Sequence, residues 1–115
     1  MASDQDLPLE QYRRAGVAIT NGDPGVYKRL YSRRDDVTLA NPFGPPGRGW
    51  SQVSARLDAA AANYRDGELV GFENVSTVVT RDLAYTVEIE SYRARVGGAE
   101  EITPVAVRVT TVFRR

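Results

Sequence analysis

Asp36-Val37-Thr38-Leu39-Ala40-Asn41-Pro42-Phe43-Gly44-Pro45-Pro46-Gly47-Arg48-Gly49-Trp50 is the stretch on which the fold turns. Its first five residues predict a short strand, with Val37 and Leu39 on one face and Thr38 on the other. Asn41-Pro42 ends that strand, because proline lacks the ladder donor and fixes its own φ. The prolines and glycines that follow predict a loop, and Gly49-Trp50 opens a helix. The run therefore joins a helical part of the chain to a sheet. An amide beside two large aromatics suits the mouth of a small-ligand pocket.

Upstream, the residues before Leu7 read as a polar tail. Leu7-Pro8 starts a helix in which Leu9, Tyr12, Gly16 and Ile19 share a face with Ala15 beside them, and Gly22 ends it. Asp23-Pro24 opens a second, short helix whose buried side is Val26, Tyr27, Leu30 and Tyr31. Arg33-Arg34-Asp35-Asp36 reads as a solvated connector. Downstream, Trp50, Val53, Leu57, Ala60, Ala61 and Tyr64 make one apolar stripe, so the third helix is expected over about residues 50–64. Asp66-Gly67 is expected to end it. From Glu68 the pattern turns to β: strands over 69–80, 83–96 and 102–114, joined by a tight turn at Arg81-Asp82 and a hairpin at Gly97-Gly98. Pro104 marks an edge or a bulge. Helices and a small strand, then a helix, then an antiparallel meander predict an α+β fold.

The chain has 115 residues, enough for one domain with its own core. Fifteen basic residues balance fifteen acidic ones, and the arginines form no stripe, which argues against nucleic acid as a partner. The chain contains no cysteine and no histidine. Disulfides, thiolate nucleophiles, histidine bases and thiolate or imidazole metal sites are thereby excluded. No metal and no cofactor is expected. Proton transfer would fall to Asp, Glu, Tyr, Lys or a held water. No signal pattern and no membrane-length apolar run is visible, so a cytoplasmic protein without membrane contact is expected.

Register about Gly97-Gly98 divides the meander into two faces. One carries Tyr85, Val87, Ile89, Ser91 and Arg93 with Ala106, Arg108, Thr110 and Val112, and is expected to face the pocket. The other carries Thr86, Glu88, Glu90 and Tyr92 with Val105, Val107, Val109 and Phe113. Neither face is cleanly polar, so both should be covered, one by helices and one by a second copy of the chain. A homodimer through the sheet is expected.

The succession Asn21-Gly22-Asp23, Leu30-Tyr31-Ser32, Asp36-Val37-Thr38-Leu39, Asn41-Pro42-Phe43-Gly44, Asp82-Leu83-Ala84-Tyr85 and Arg108-Val109-Thr110-Thr111-Val112-Phe113-Arg114 resembles the nuclear transport factor two-like superfamily. Within it, the chain is most similar to the SnoaL-like, or ketosteroid isomerase-like, branch. The resemblance implies a cystatin-like cone, in which a curved antiparallel sheet wraps three helices around an apolar pocket. It also implies a last strand beyond Arg115. Ketosteroid isomerases, polyketide cyclases, epoxide hydrolases and dehydratases share this fold with many non-catalytic modules. The isomerase residues are altered here. Asn41 stands where a catalytic Asp precedes the loop proline, Ala15 where a first-helix Tyr completes an oxyanion hole, and Thr110 where a protonated Asp sits late in the sheet. The dehydratase branch relies on histidine, which is absent.

The expected ligand-binding residues are Tyr12, Asn41, Phe43, Trp50, Tyr85, Arg108 and Thr110. Asn41 would position water or a carbonyl, unless it serves only as a turn-former. Arg108 would hold negative charge beside Thr110, unless it is a structural ion pair with an acid such as Asp36. Trp50 is equally a core residue. Glu88 and Glu90, roughly 6–7 Å apart on one strand face, would form an acid–base pair if they faced a pocket, and arginine-paired surface groups otherwise. Two functions stay open. One is a small-molecule protein for an apolar, oxygenated ligand, with isomerase, cyclase or hydrolase chemistry within reach. The other is a non-catalytic dimerising module.

Overall fold

The protein is described by a computed structural model over residues 7–114. The polar tail and Arg115 lie outside the described residues. The elements are α1 (Leu9–Thr20), α2 (Gly25–Leu30), β1 (Thr38–Leu39), β2 (Gly47–Arg48), α3 (Trp50–Ala62), β3 (Tyr64–Val79), β4 (Leu83–Val96) and β5 (Thr103–Arg114). The expected α+β order holds. The long strands form one antiparallel sheet in the order β3-β4-β5, while β1 and β2 form a separate small ladder. No helix of the described residues is long and apolar enough to cross a membrane.

Local chemistry accounts for the breaks. Gly22 takes φ +86° after α1, a region that favours glycine. Asp23 then accepts a hydrogen bond from Gly25 N–H at 2.8 Å and turns the chain into α2. Asn21 exchanges two hydrogen bonds with Gly67: its Nδ2 donates to the carbonyl at 3.0 Å, and its Oδ1 accepts from the N–H at 3.2 Å. The end of α1 is thus tied to the start of the sheet. Gly97 and Gly98 both have positive φ, as the hairpin reading requires.

Three boundaries differ from expectation. The first strand is two residues long, and the Pro/Gly run after it folds back as a hairpin, with Thr38 opposite Arg48 and Leu39 opposite Gly47. Gly47 is buried there, where an added Cβ would meet the Gln52 backbone at 3.2 Å, so glycine lets the ladder close onto α3 without crowding. The third helix stops at Ala62, capped by Asn63, and Tyr64 already belongs to β3. β3 therefore starts well before residue 69. It takes in Asp66 at φ 57° within the first of three irregularities that bend the strand.

The two faces of the meander are the reverse of the expected assignment. Ala84, Thr86, Glu88, Glu90, Tyr92 and Ala94 are all buried against the helical side. Their β5 partners on that face are Phe113, Thr111, Val109, Val107, Val105 and Thr103. Tyr85, Ile89, Arg108, Thr110 and Val112 project outward and are exposed. α1 packs directly on the Glu90–Tyr92 face, and Gly16 is what lets it approach: a Cβ there would meet Glu90 Oε1 at 3.1 Å and would collide with the Tyr92 hydroxyl. Burial followed the fit of helix to strand rather than residue polarity.

The core proper is Ile19, Val53, Leu57, Ala60 and Ala61, with Tyr27, Tyr31, Val37, Leu39, Phe43 and Trp50 packed around it. α1 covers the β3–β4 end of the inner face. The β5 end is left to a cavity.

Candidate functional site

The cavity has a volume of about 950 Å³. Its floor is the inner face of β5, with Val107, Val109, Thr111 and Phe113. Its walls come from α1, α2, α3 and the segment from Asp36 to Phe43. Most of the lining is aliphatic or aromatic, as small-molecule sites usually are.

Four phenols stand in the wall: Tyr12 from α1, Tyr27 and Tyr31 from the second-helix segment, and Tyr64 from the first residue of β3. Edge-to-face contacts fix their rings. Tyr12 meets Phe113 at 5.3 Å and Tyr27 at 6.1 Å, and Phe43 meets Tyr64 at 5.2 Å. The Tyr12 hydroxyl donates to the Leu30 carbonyl at 3.3 Å. The hydroxyls of Tyr27, Tyr31 and Tyr64 make no side-chain hydrogen bond among the described residues. Burial raises the pKa of all four, most for Tyr27 and Tyr31. They are therefore neutral donors at physiological pH, not bases.

The sequence-derived site residues divide into three groups. Tyr12, Asn41 and Phe43 do line the cavity. Asn41 Oδ1 is engaged locally, accepting from Phe43 N–H at 2.9 Å, which is the turn-forming alternative. Trp50 is not in the lining; it packs on the core with the Arg33 guanidinium 3.4 Å from its ring centroid. Tyr85, Arg108 and Thr110 do not converge with the first group. Their side chains stand on the outer face, and Arg108 and Thr110 border the cavity only along the β5 edge. A hollow rimmed by one amide and one guanidinium is thus not what forms. Nor is Arg108 paired with Asp36. That carboxylate is held by Arg34 and Arg114, each at 3.2 Å, and their hydrogen bonds lower its pKa.

Tyr27 and Tyr64 are visible in the sequence only as apolar-stripe residues and Tyr31 as core or pocket wall, and spacing alone does not say that three hydroxyls meet at one cavity. Glu88 and Glu90, expected either as an acid–base pair facing a pocket or as arginine-paired surface groups, are buried on the inner face, each 5% exposed. Among the described residues no group of three or more Asp or Glu side chains could hold a metal ion.

The fold has solved counterparts. Over 94% of this chain and 82% of the other, it superposes with a TM-score of 0.73 and 19% identity on a protein from Thiobacillus denitrificans assigned as a calcium/calmodulin-dependent protein kinase type II association domain. A protein from Streptomyces avermitilis, assigned as a dehydratase of the NTF2-like family, matches with a TM-score of 0.69 and 23% identity over 96% and 87% of the two chains. The chain has the NTF2-like fold. A third counterpart in shape, from Rhodopseudomonas palustris and assigned as an isomerase, matches with a TM-score of 0.62 and 17% identity over 95% and 80%. No protein-family model matches the sequence, and no curated protein matches it. At these identities the NTF2-like likeness speaks for the shape of the chain and not for its chemistry.

Proposed function

We propose that this NTF2-like chain is a small-molecule-binding protein of the SnoaL-like kind, whose ligand is apolar, uncharged and oxygen-bearing. The observation that supports this most is the unpartnered phenol set. Three phenol hydroxyls that make no side-chain hydrogen bond among the described residues, in a mainly apolar lining, are donors that a ligand carbonyl or hydroxyl can satisfy. Of the arginines that border the cavity, Arg34 and Arg114 already serve Asp36 and Arg108 stands on the outer face, so the inner wall offers a carboxylate ligand no cation. Tyr12, Asn41 and Phe43 line the same cavity, Tyr12 against Tyr27 and Phe43 against Tyr64. Isomerisation, cyclisation and hydrolysis remain the reaction classes for such a site, with the phenols polarising an oxygen. Two counterparts assigned as a dehydratase and an isomerase support that range.

The test is a thermal-shift comparison of α-tetralone, a neutral bicyclic ketone, with naphthoate of similar size. The ketone should raise Tm and the anion should not. Tyr27→Phe should weaken ketone binding by about two- to tenfold, the value of one net hydrogen bond. A stronger response to naphthoate, or no response to either, counts against the proposal.

A second reading, a dimerising module, is favoured by the outer face of the sheet. Val78, Tyr85, Ile89 and Val112 are 38%, 39%, 36% and 66% exposed on one side of the sheet. We propose that two copies pair through this face, with Arg108 and Thr110 within it. The counterpart assigned as an association domain supports that arrangement. The two readings are compatible: pairing uses the convex side and ligand binding the concave side.

A further inference from the structure

Glu88 and Glu90 stand two residues apart on the inner face of β4, both buried, and the one guanidinium beside them pairs with Glu88 alone. Arg13 Nη2 lies 3.1 Å from Glu88 Oε2, and Asn74 Nδ2 donates to the same oxygen at 3.2 Å. Glu90 receives a phenol instead. The Tyr92 hydroxyl donates to its Oε1 at 2.5 Å, and among the described residues Oε2 has no partner. A carboxylate removed from water normally gathers several donors or a cation. Glu90 has one neutral donor.

The groups facing Glu90 can be taken element by element. α1 brings Arg13, committed to Glu88, and Gly16, which brings no side chain. α2 brings Tyr27, whose ionisation the Glu90 charge opposes. β3 places Phe72 opposite Glu90 and Tyr64 nearby, and β4 itself adds Glu88 and Tyr92. β5 places Val107 opposite and offers no titratable side chain on its inner face. The cluster therefore holds two acids against one base. Two of its members, Tyr27 and Tyr64, also belong to the cavity wall.

We propose that Glu90 is a buried proton-binding site behind the phenol wall, and that its proton is coupled to occupancy of the cavity by an uncharged ligand. The second half rests on the ligand-binding reading above. Burial acts first to raise the Glu90 pKa; the Tyr92 hydrogen bond opposes this, the Glu88 charge adds to it and Arg13 opposes it. A ligand seated against Tyr27 and Tyr64 displaces water from that end, which disfavours the carboxylate further. The protein then takes up a proton on binding. By reciprocity, a proton on Glu90 tightens the ligand.

Carbon-13 NMR of the glutamate carboxyls in the ligand-free protein decides the first half. One carboxyl should titrate above the ordinary glutamate range. Its signal should be lost in Glu90→Gln and kept in Glu88→Gln. In Tyr92→Phe, which keeps the acid but removes the donor to its ionised form, the midpoint should move higher still; this variant also carries the test if Glu90→Gln fails to fold. Ordinary titration by every glutamate would overturn the proposal, as would survival of the shifted signal in Glu90→Gln. Calorimetry of α-tetralone binding, in two buffers of different ionisation enthalpy, decides the second half. Proton uptake is expected in the parent protein and not in Glu90→Gln. Affinity should fall by at most about tenfold per pH unit above the midpoint. Binding without proton uptake would overturn the coupling. Failure of α-tetralone to bind would instead overturn the ligand-binding reading and the coupling that rests on it, while the NMR titration still decides Glu90.

Discussion

Arg13 Nη2 meets Glu88 Oε2 at 3.1 Å and joins α1 to β4 across 75 residues of sequence. The same guanidinium lies 3.6 Å from the centroid of the Phe72 ring. One side chain thus neutralises a buried acid and covers one side of an aromatic ring that stays 41% exposed. The carboxylate side chain is 7% exposed and the guanidinium side chain 25%.

Arg13→Ala should therefore destabilise the fold strongly, by about 3 kcal/mol, because it leaves Glu88 buried without a counter-charge. Glu88→Gln should cost less, since an amide carries no charge to strand and can keep the Asn74 contact. Urea unfolding of the two variants checks the order. Equal losses would mean that the pair contributes only packing.

Gly16 sits against the Tyr92 hydroxyl, where no Cβ fits. Alanine would gain about 1 kcal/mol of helix propensity at an unhindered site. Here the collision outweighs it, and Gly16→Ala should be net destabilising by about 1–3 kcal/mol. Adding Tyr92→Phe should recover part of the loss, because the colliding oxygen is removed. A double-mutant cycle on Tm or urea midpoint reads the coupling.

The raised Glu90 pKa fixes a sign for stability against pH. The folded state holds this proton more tightly than the unfolded chain, whose glutamates titrate near about 4.3. The contribution is fully present below that unfolded value and is lost as pH rises through the folded one. Parent protein should therefore lose stability across that window, and Glu90→Gln should flatten this part of the profile and be the more stable at mildly alkaline pH. Asp36 acts with the opposite sign, its lowered pKa making stability fall as pH drops through the acid range. Thermal melts over a pH series separate the two.

On the outer face, Val112 is 66% exposed beside Tyr85, its cross-strand partner. Val112→Lys should leave Tm of the isolated protomer nearly unchanged, as exposed substitutions do. It should abolish pairing through the sheet, because charges directly opposite across a two-fold repel. Light scattering at micromolar concentration compares the two. A parent protein that is already monomeric would remove the dimer proposal.

The sequence by itself determined the elements: the α+β order, the helix stop at Gly22, the Gly97-Gly98 hairpin and the stripe of α3 are local, written in periodicity and in residues with restricted φ. The lack of histidine and cysteine set the chemistry in the same way. Tertiary structure alone decided which side of the meander is inside. A period of two assigns residues to faces but does not orient the faces, and both faces here mix apolar and polar groups. α1 lies on Glu90 and Tyr92, with Gly16 allowing the close approach, and Tyr85 and Arg108 are left outside. Convergence of Tyr27, Tyr31 and Tyr64 on one cavity follows from that choice, because residues far apart in sequence meet only after a helix has chosen its face.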